Sequence, residues 1–194
     1  MSRNRLLILV VAILTIVAQL FIPISMANRY EDILQTGESY HFKVVPRDPA
    51  DPFKGRYVNL YFPVQSGESK DLENPEIVDQ LKRGAEAYAI IEKGPNELAR
   101  LNDIKSSKPG GQNYISIKNS YSYDGKYNIK FPFNRYYAEE SKAPRIEALL
   151  WNRERDADRE FYADVRMKDG YGVIAELYVD NTPILEYLKQ QQSQ

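Results

Sequence analysis

The chain has 194 residues, with 26 Lys and Arg against 27 Asp and Glu, and a formal net charge of −1. This balance argues against nucleic acid as a partner, because neutralising phosphates requires a clear excess of basic residues. The absence of cysteine excludes disulfides and thiolate catalysis, and a single histidine, His41, excludes a multi-histidine metal site. We therefore expect a non-enzymatic protein without a cofactor or a metal ion.

The N-terminal segment 1–27 is predicted to be a membrane anchor. Leu6–Ile24 is apolar over 19 residues apart from three positions. As a helix it would rise ~28 Å, close to the thickness of the bilayer's hydrocarbon core. Arg3 and Arg5 precede it, so we expect a single-pass protein with a cytoplasmic N-terminus and a domain outside the cytoplasm.

A cleaved signal peptide is the alternative for this segment. Ser25 and Ala27 are small residues at the positions that a signal peptidase requires, and Pro23 is expected to end the helix nearby. Both interpretations place the domain at 28–188 outside the cytoplasm. The Gln-rich tail at 189–194 is predicted to be disordered.

The domain is predicted to be mostly β, because hydrophobic residues recur with a period of two rather than 3.6. In the clearest hairpin, Val165 alternates with polar neighbours, and Ala175 and Leu177 share one face of the returning strand. Asp169-Gly170 supplies the turn. The predicted elements are strands at 40–45, 56–63, 85–93 and 98–104, a short helix at 74–83, hairpins at 114–131 and 161–179, and a frayed turn at 185–192. The sequence leaves open whether 145–154 is helical.

A weak internal repeat relates the two halves of the domain. The segment 55–63 resembles 125–132, and similar aromatic strands precede both. This pattern favours antiparallel hairpins in two lobes, built from units at 38–108 and 112–183 that arose by duplication. The alternative is that alternating aromatic residues are common in any β protein.

The most distinctive motif is Gly55, Tyr57, Leu60 and Tyr61, spaced Gly-x-Tyr-x-x-Leu-Tyr. It resembles the motif of the GDYXXLXY family, a bacterial group of membrane-anchored proteins. The chain departs from the family pattern in two places. Arg56 stands where the family has Asp, and Phe62 stands where the family has its second Tyr.

A second segment supports the resemblance. Arg135-Tyr136-Tyr137, followed by Glu140, is similar to the family's stretch of Arg, Tyr and an aromatic residue that ends in Glu. The resemblance implies a bacterial inner-membrane protein with one membrane anchor and a periplasmic domain, and it does not imply a particular reaction. We therefore assign these residues, together with the first motif, a structural role.

Glu140 could be structural or catalytic. A buried ion pair with Arg135 or Arg56 is the structural interpretation, because buried charges persist only when they are paired. A carboxylate-based hydrolase is the alternative, with Glu140 acting beside Asp48 or Asp51 once the chain has folded.

The density of tyrosine near the two motifs also has two interpretations. The rings could form cross-strand pairs within a sheet, or a surface that binds cell-wall glycan or peptide. The tyrosines concerned are Tyr57, Tyr61, Tyr121, Tyr123, Tyr127, Tyr136 and Tyr137. The sequence as a whole favours a non-enzymatic module that is anchored by Leu6–Ile24 and interacts with an envelope or inner-membrane protein.

Overall fold

The computed structural model of the chain describes residues 3–45, 57–72, 86–111, 113–151 and 159–192. The described part consists mostly of antiparallel strands and one long N-terminal helix, which confirms the predicted fold class. Gly55 and the helix predicted at 74–83 lie outside the described residues. The helices are α1 (Arg3–Thr36), α2 (Ala143–Trp151) and α3 (Ile184–Gln192), and the strands are β1 (Glu38–Lys43), β2 (Tyr57–Asn59), β3 (Ser66–Glu68), β4 (Ala87–Lys93), β5 (Ala99–Lys105), β6 (Tyr114–Ile117), β7 (Asn119–Tyr123), β8 (Lys126–Lys130), β9 (Arg135–Tyr137), β10 (Phe161–Lys168), β11 (Tyr171–Val179) and β12 (Thr182–Pro183).

Helix α1 runs for 34 residues, and Pro23 lies inside it. The expectation that Pro23 ends the helix is therefore wrong. Proline costs the helix one backbone donor, but α1 continues beyond it to Thr36. The N–H of Gly37, the next residue, donates to the Ile33 carbonyl at 2.8 Å. By length and composition, Leu7–Thr36 is sufficient to span a membrane.

The last turns of α1 pack on the hairpin formed by β10 and β11. Ile33 is buried there, with 3% of its surface exposed. Lys168 Nζ donates to Asp32 Oδ2 at 2.7 Å, and the Arg29 guanidinium lies 5.2 Å from the centre of the Tyr171 ring. The apolar helix therefore continues directly into the domain without a flexible linker.

The four-stranded sheet has the order β1-β10-β11-β12 and is antiparallel throughout. Its central hairpin turns at Asp169 and Gly170, with φ of 52° and 84°, as a type I′ turn requires and as predicted. The register shifts between Asp164 and Val165 of β10, which leaves Ala175 of β11 without a partner. As a result Ile174 packs against the core, while Ala175 is exposed. The prediction that Ala175 faces the same side as Leu177 is wrong, because a bulge reverses the alternation.

Three smaller sheets complete the described part: β2-β9, β3-β8-β7 and β5-β4-β6. Asp124 and Gly125 form the predicted turn between β7 and β8, again with positive φ at both positions. The segment predicted as a single strand from Tyr114 is divided into β6 and β7. The chain changes partner after Ile117, because β6 pairs with β4 and β7 pairs with β8.

The pairing of strands is nested. β1 pairs with β10, β2 with β9 and β3 with β8, so strands from the predicted unit 38–108 pair with strands from the predicted unit 112–183. Their buried side chains form one contiguous core. The duplication of the two units stays a prediction.

Four phenylalanines lie at the centre of this core. The ring of Phe42 is 5.5 Å from that of Phe62 and 5.6 Å from that of Phe131, both in edge-to-face geometry. Phe133 stacks on Phe131 at 5.2 Å. These distances are typical of favourable aromatic pairs, and they join β1 to the segments that follow β2 and β8.

Two short helices cover the domain. α2 buries Ala143, Ile146 and Leu150 at helical spacing. The segment that begins at residue 145, whose conformation the sequence left open, is therefore helical as far as Trp151. α3 buries Ile184 and Leu188 and continues to Gln192. The predictions of a frayed turn at 185–192 and of disorder from residue 189 are therefore wrong as far as Gln192, because this apolar stripe docks the helix.

Candidate functional site

The two segments that carry the motifs pair with each other. Tyr57 lies opposite Tyr137 and Val58 opposite Tyr136 in the two-stranded sheet β2-β9. Adjacent residues of a strand point to opposite faces. The β2–β9 ribbon therefore presents one set of motif residues to solvent and the other to the core.

The outward set is Tyr57, Arg135 and Tyr137, and we name it the aromatic–basic surface. The Arg135 guanidinium lies 4.8 Å from the centre of the Tyr57 ring, and the rings of Tyr57 and Tyr137 are 5.9 Å apart. Tyr137 is 69% exposed. Tyr and Arg are enriched among the residues that dominate binding energy at protein interfaces, so this surface has the composition of a binding surface.

The inward set fastens the ribbon to the four-stranded sheet. Tyr136 is buried, and its hydroxyl donates to Glu176 Oε1 at 2.6 Å. The same oxygen accepts the N–H of Leu177 at 2.9 Å. Burial and the bond to the carboxylate raise the pKa of Tyr136 well above its usual range. Tyr136 therefore acts as a neutral structural donor.

The remaining residues of the first motif also have structural contacts. Leu60 is buried, and its N–H donates to the carbonyl of Asn134 at 2.8 Å. Phe62 is fully buried in the phenylalanine cluster. The Tyr61 hydroxyl lies 2.7 Å from Ser66 Oγ.

The expected buried pair of Glu140 with Arg135 is wrong. Glu140 is exposed, and within the described ranges it forms no ion pair. Arg135 lies over an aromatic ring instead, while the neighbouring Glu139 pairs with Lys142 at 2.7 Å. The chain turns here to begin α2, which leaves Glu140 in solvent. The alternative partner, Arg56, lies outside the described residues.

The other candidate residues can be placed as follows. His41 is half-buried, and its ring lies 4.8 Å from that of Tyr162. Tyr127 is buried, so the predicted tyrosine surface does not include it. The hydrolase interpretation stays a prediction, because Asp48 and Asp51 lie outside the described residues. In the described part of the chain, no group of three or more His, Cys, Asp or Glu could hold a metal ion.

A cleft of about 970 Å³ lies between the ribbon and the end of α1. The lining includes Tyr30 of α1, Tyr171 of β11, Lys118, Lys130, Arg135 and Glu86. Apart from Arg135, none of these residues was predicted from the sequence to line a site, because the position of Tyr30 opposite β11 depends on where α1 docks. The predicted hairpin that turns at Asp124-Gly125 is the signal that could have indicated the basic part of the lining, since its register places Lys130 opposite Asn119, next to Lys118.

A family model described as GDYXXLXY protein matches residues 19–177, and the chain belongs to this family. The match begins within α1 and ends within β11, so it includes both paired motifs. Neither the curated proteins nor the solved structures include a significant match to the chain.

Proposed function

We propose that this member of the GDYXXLXY family is a non-enzymatic module that is held in the bacterial inner membrane by α1. Its β domain lies on the periplasmic side, where it binds an inner-membrane or envelope protein. The observation that carries the proposal is the aromatic–basic surface, which presents a 69%-exposed Tyr137 beside Tyr57 and Arg135.

The continuity of α1 with the domain supports this role. The buried Ile33 and the bond between Lys168 and Asp32 hold the domain at a fixed height above the apolar segment. A partner in the same membrane would therefore meet the aromatic–basic surface in a restricted orientation. Restriction of this kind lowers the entropic cost of binding.

The proposed orientation follows from charge. Arg3 and Arg5 precede the apolar segment, and cytoplasmic flanks are typically enriched in basic residues. A periplasm-specific reporter fused after Gln194 should be active, and a cytoplasm-specific reporter at the same position should be inactive. The reverse result would overturn the orientation, and recovery of a mature chain that begins at Asn28 would overturn the anchor.

Site-specific photocrosslinking tests the binding surface. A photoreactive phenylalanine analogue replaces Tyr137 in the full chain, in cells, and a matched control replaces Trp151, which is 54% exposed at the end of α2. We expect one defined protein adduct from position 137 and none from position 151. The adduct should disappear when Arg135→Ala is added. Equal labelling at both positions, or no protein adduct at 137, would refute the proposal.

Binding of cell-wall glycan or peptide is the second candidate, since the exposed ring of Tyr137 could stack on a sugar. In that case purified cell wall should retain the full chain in detergent, and Tyr137→Ala should abolish retention. Tyr137→Phe should preserve it if stacking dominates. A protein adduct from position 137 without retention on cell wall would favour the first candidate.

A further inference from the structure

We infer that the cleft beside α1 binds the phosphate headgroup of an anionic phospholipid from the membrane that holds α1. The inference depends on the membrane location in the proposed function, but it does not depend on the protein partner. Three observations carry it: the charge of the lining, its height above the apolar segment, and its shape.

The charge of the lining favours an anion. Lys118, Lys130 and Arg135 contribute three positive charges against the single carboxylate of Glu86. Lys118 and Lys130 are both exposed, and neither forms an ion pair with another described residue. Phosphate accepts hydrogen bonds from such side chains readily, and each basic residue near an anionic bilayer adds to lipid attraction.

The height of the cleft matches the headgroup layer. Tyr171 lies beneath Arg29, which is only a few residues beyond Ile24, or ~7.5 Å along the helix. The headgroup layer on each side of a bilayer is about 5–8 Å thick. Tyr30 and Tyr171, which line the cleft, are both about half exposed. Tyrosine is enriched at this level of membrane proteins.

The shape of the cleft suits a headgroup together with its glycerol. Its volume of about 970 Å³ is at the upper end of ordinary ligand sites. Val173 and Ile174 of β11 line it and are both partly exposed. An apolar wall therefore lies beside the basic residues, which is the arrangement that an amphipathic ligand requires.

Lipid binding by the full chain in neutral detergent micelles tests the inference. Dioleoylphosphatidylglycerol and dioleoylphosphatidylcholine are titrated separately, and bound lipid is measured by native mass spectrometry. The test variant is Lys118→Gln with Lys130→Gln. The control is Lys43→Gln with Lys126→Gln, two exposed lysines that do not line the cleft. Glycerol phosphate and a glutamate pentapeptide serve as competitors.

We expect the wild type and the control to bind phosphatidylglycerol equally and in preference to phosphatidylcholine. The test variant should bind it about 30-fold more weakly, since two basic residues are lost. Equal binding by all three proteins would overturn the inference, as would a lack of preference between the lipids. Displacement of the lipid by the pentapeptide but not by glycerol phosphate would also overturn it, in favour of an acidic protein segment.

These results can be separated from the proposed function. Arg135 and Tyr137 line the cleft as well as the aromatic–basic surface, so the two sites adjoin. The protein adduct from position 137 reports the partner, and the test variant changes only Lys118 and Lys130. Loss of lipid binding in the test variant, with the crosslink at position 137 retained, would support the inference independently of the proposed function. Normal lipid selectivity without a crosslink would leave the lipid site standing and refute the protein partner.

Discussion

The hydrogen bond between Tyr136 and Glu176 should contribute measurably to stability. Tyr136→Phe removes only the buried hydroxyl, which donates to the carboxylate at 2.6 Å. A hydrogen bond to a charged group typically contributes about 1.5–3 kcal/mol. We therefore expect the free energy of unfolding to fall by about 2 kcal/mol, and the melting temperature of a domain of this size to fall by about 4–8 °C.

The adjacent residue provides the control. Tyr137→Phe makes the same chemical change at a side chain that is 69% exposed, so its effect should stay within about 0.5 kcal/mol. Thermal unfolding of the full chain in detergent micelles, followed by circular dichroism, measures both variants. If Tyr136→Phe melted like Tyr137→Phe, the hydrogen bond would not fasten the ribbon as we argue.

The same residue predicts a dependence on pH. The pKa of Tyr136 is raised in the folded chain above its ordinary value of 10.0, because burial and Glu176 disfavour the phenolate. The stability that this residue contributes is therefore complete below about pH 10 and is lost as the pH rises further. Between pH 9 and 11.5 the wild type should lose more stability than Tyr136→Phe. Parallel losses in the two proteins would contradict this assignment.

Three further predictions concern packing and the helix. Gly172→Ala should destabilise the chain by about 1–3 kcal/mol, because the new methyl group would overlap the buried ring of Phe133. Gly110 is the control, since a Cβ there meets nothing within 4 Å, and Gly110→Ala should show no such loss in the same melting assay. Glu140→Gln should leave the melting temperature unchanged, because the side chain is exposed. A drop of several degrees would instead support a buried ion pair of Glu140. Lys168→Gln should speed amide hydrogen exchange in residues 25–36, since its bond to α1 is lost, and unchanged exchange there would mean that apolar packing alone docks the helix.

Local chemistry was sufficient to predict much of this fold. Asp124-Gly125 and Asp169-Gly170 turn as expected, because adjacent residues that tolerate positive φ specify a type I′ hairpin regardless of their surroundings. The apolar helix and the β-strands could also be predicted from the sequence, since both patterns depend on residues a few positions apart. The two motifs were recognised as related parts of one family pattern, and the family match confirms that pattern.

Other features depended on contacts between distant residues. The exposure of Ala175 follows from a bulge, and the division of the segment after Ile117 follows from a change of partner strand. Neither leaves a clear local trace, because an extended backbone accepts several registers and its partner selects one. Glu140 was misjudged for the same reason, since its burial depended on where Arg135 would lie.

The sequence by itself determined that the chain has an apolar helix, antiparallel hairpins and two family motifs, because those properties are encoded by neighbouring residues. Only the tertiary structure decided that α1 continues into the core at Ile33, that Tyr57 and Tyr137 meet on one surface, and that Lys118 and Lys130 face a common cleft. Burial and nested strand pairing select these contacts from many that the chain could make, and their energies exist only once the whole domain is assembled.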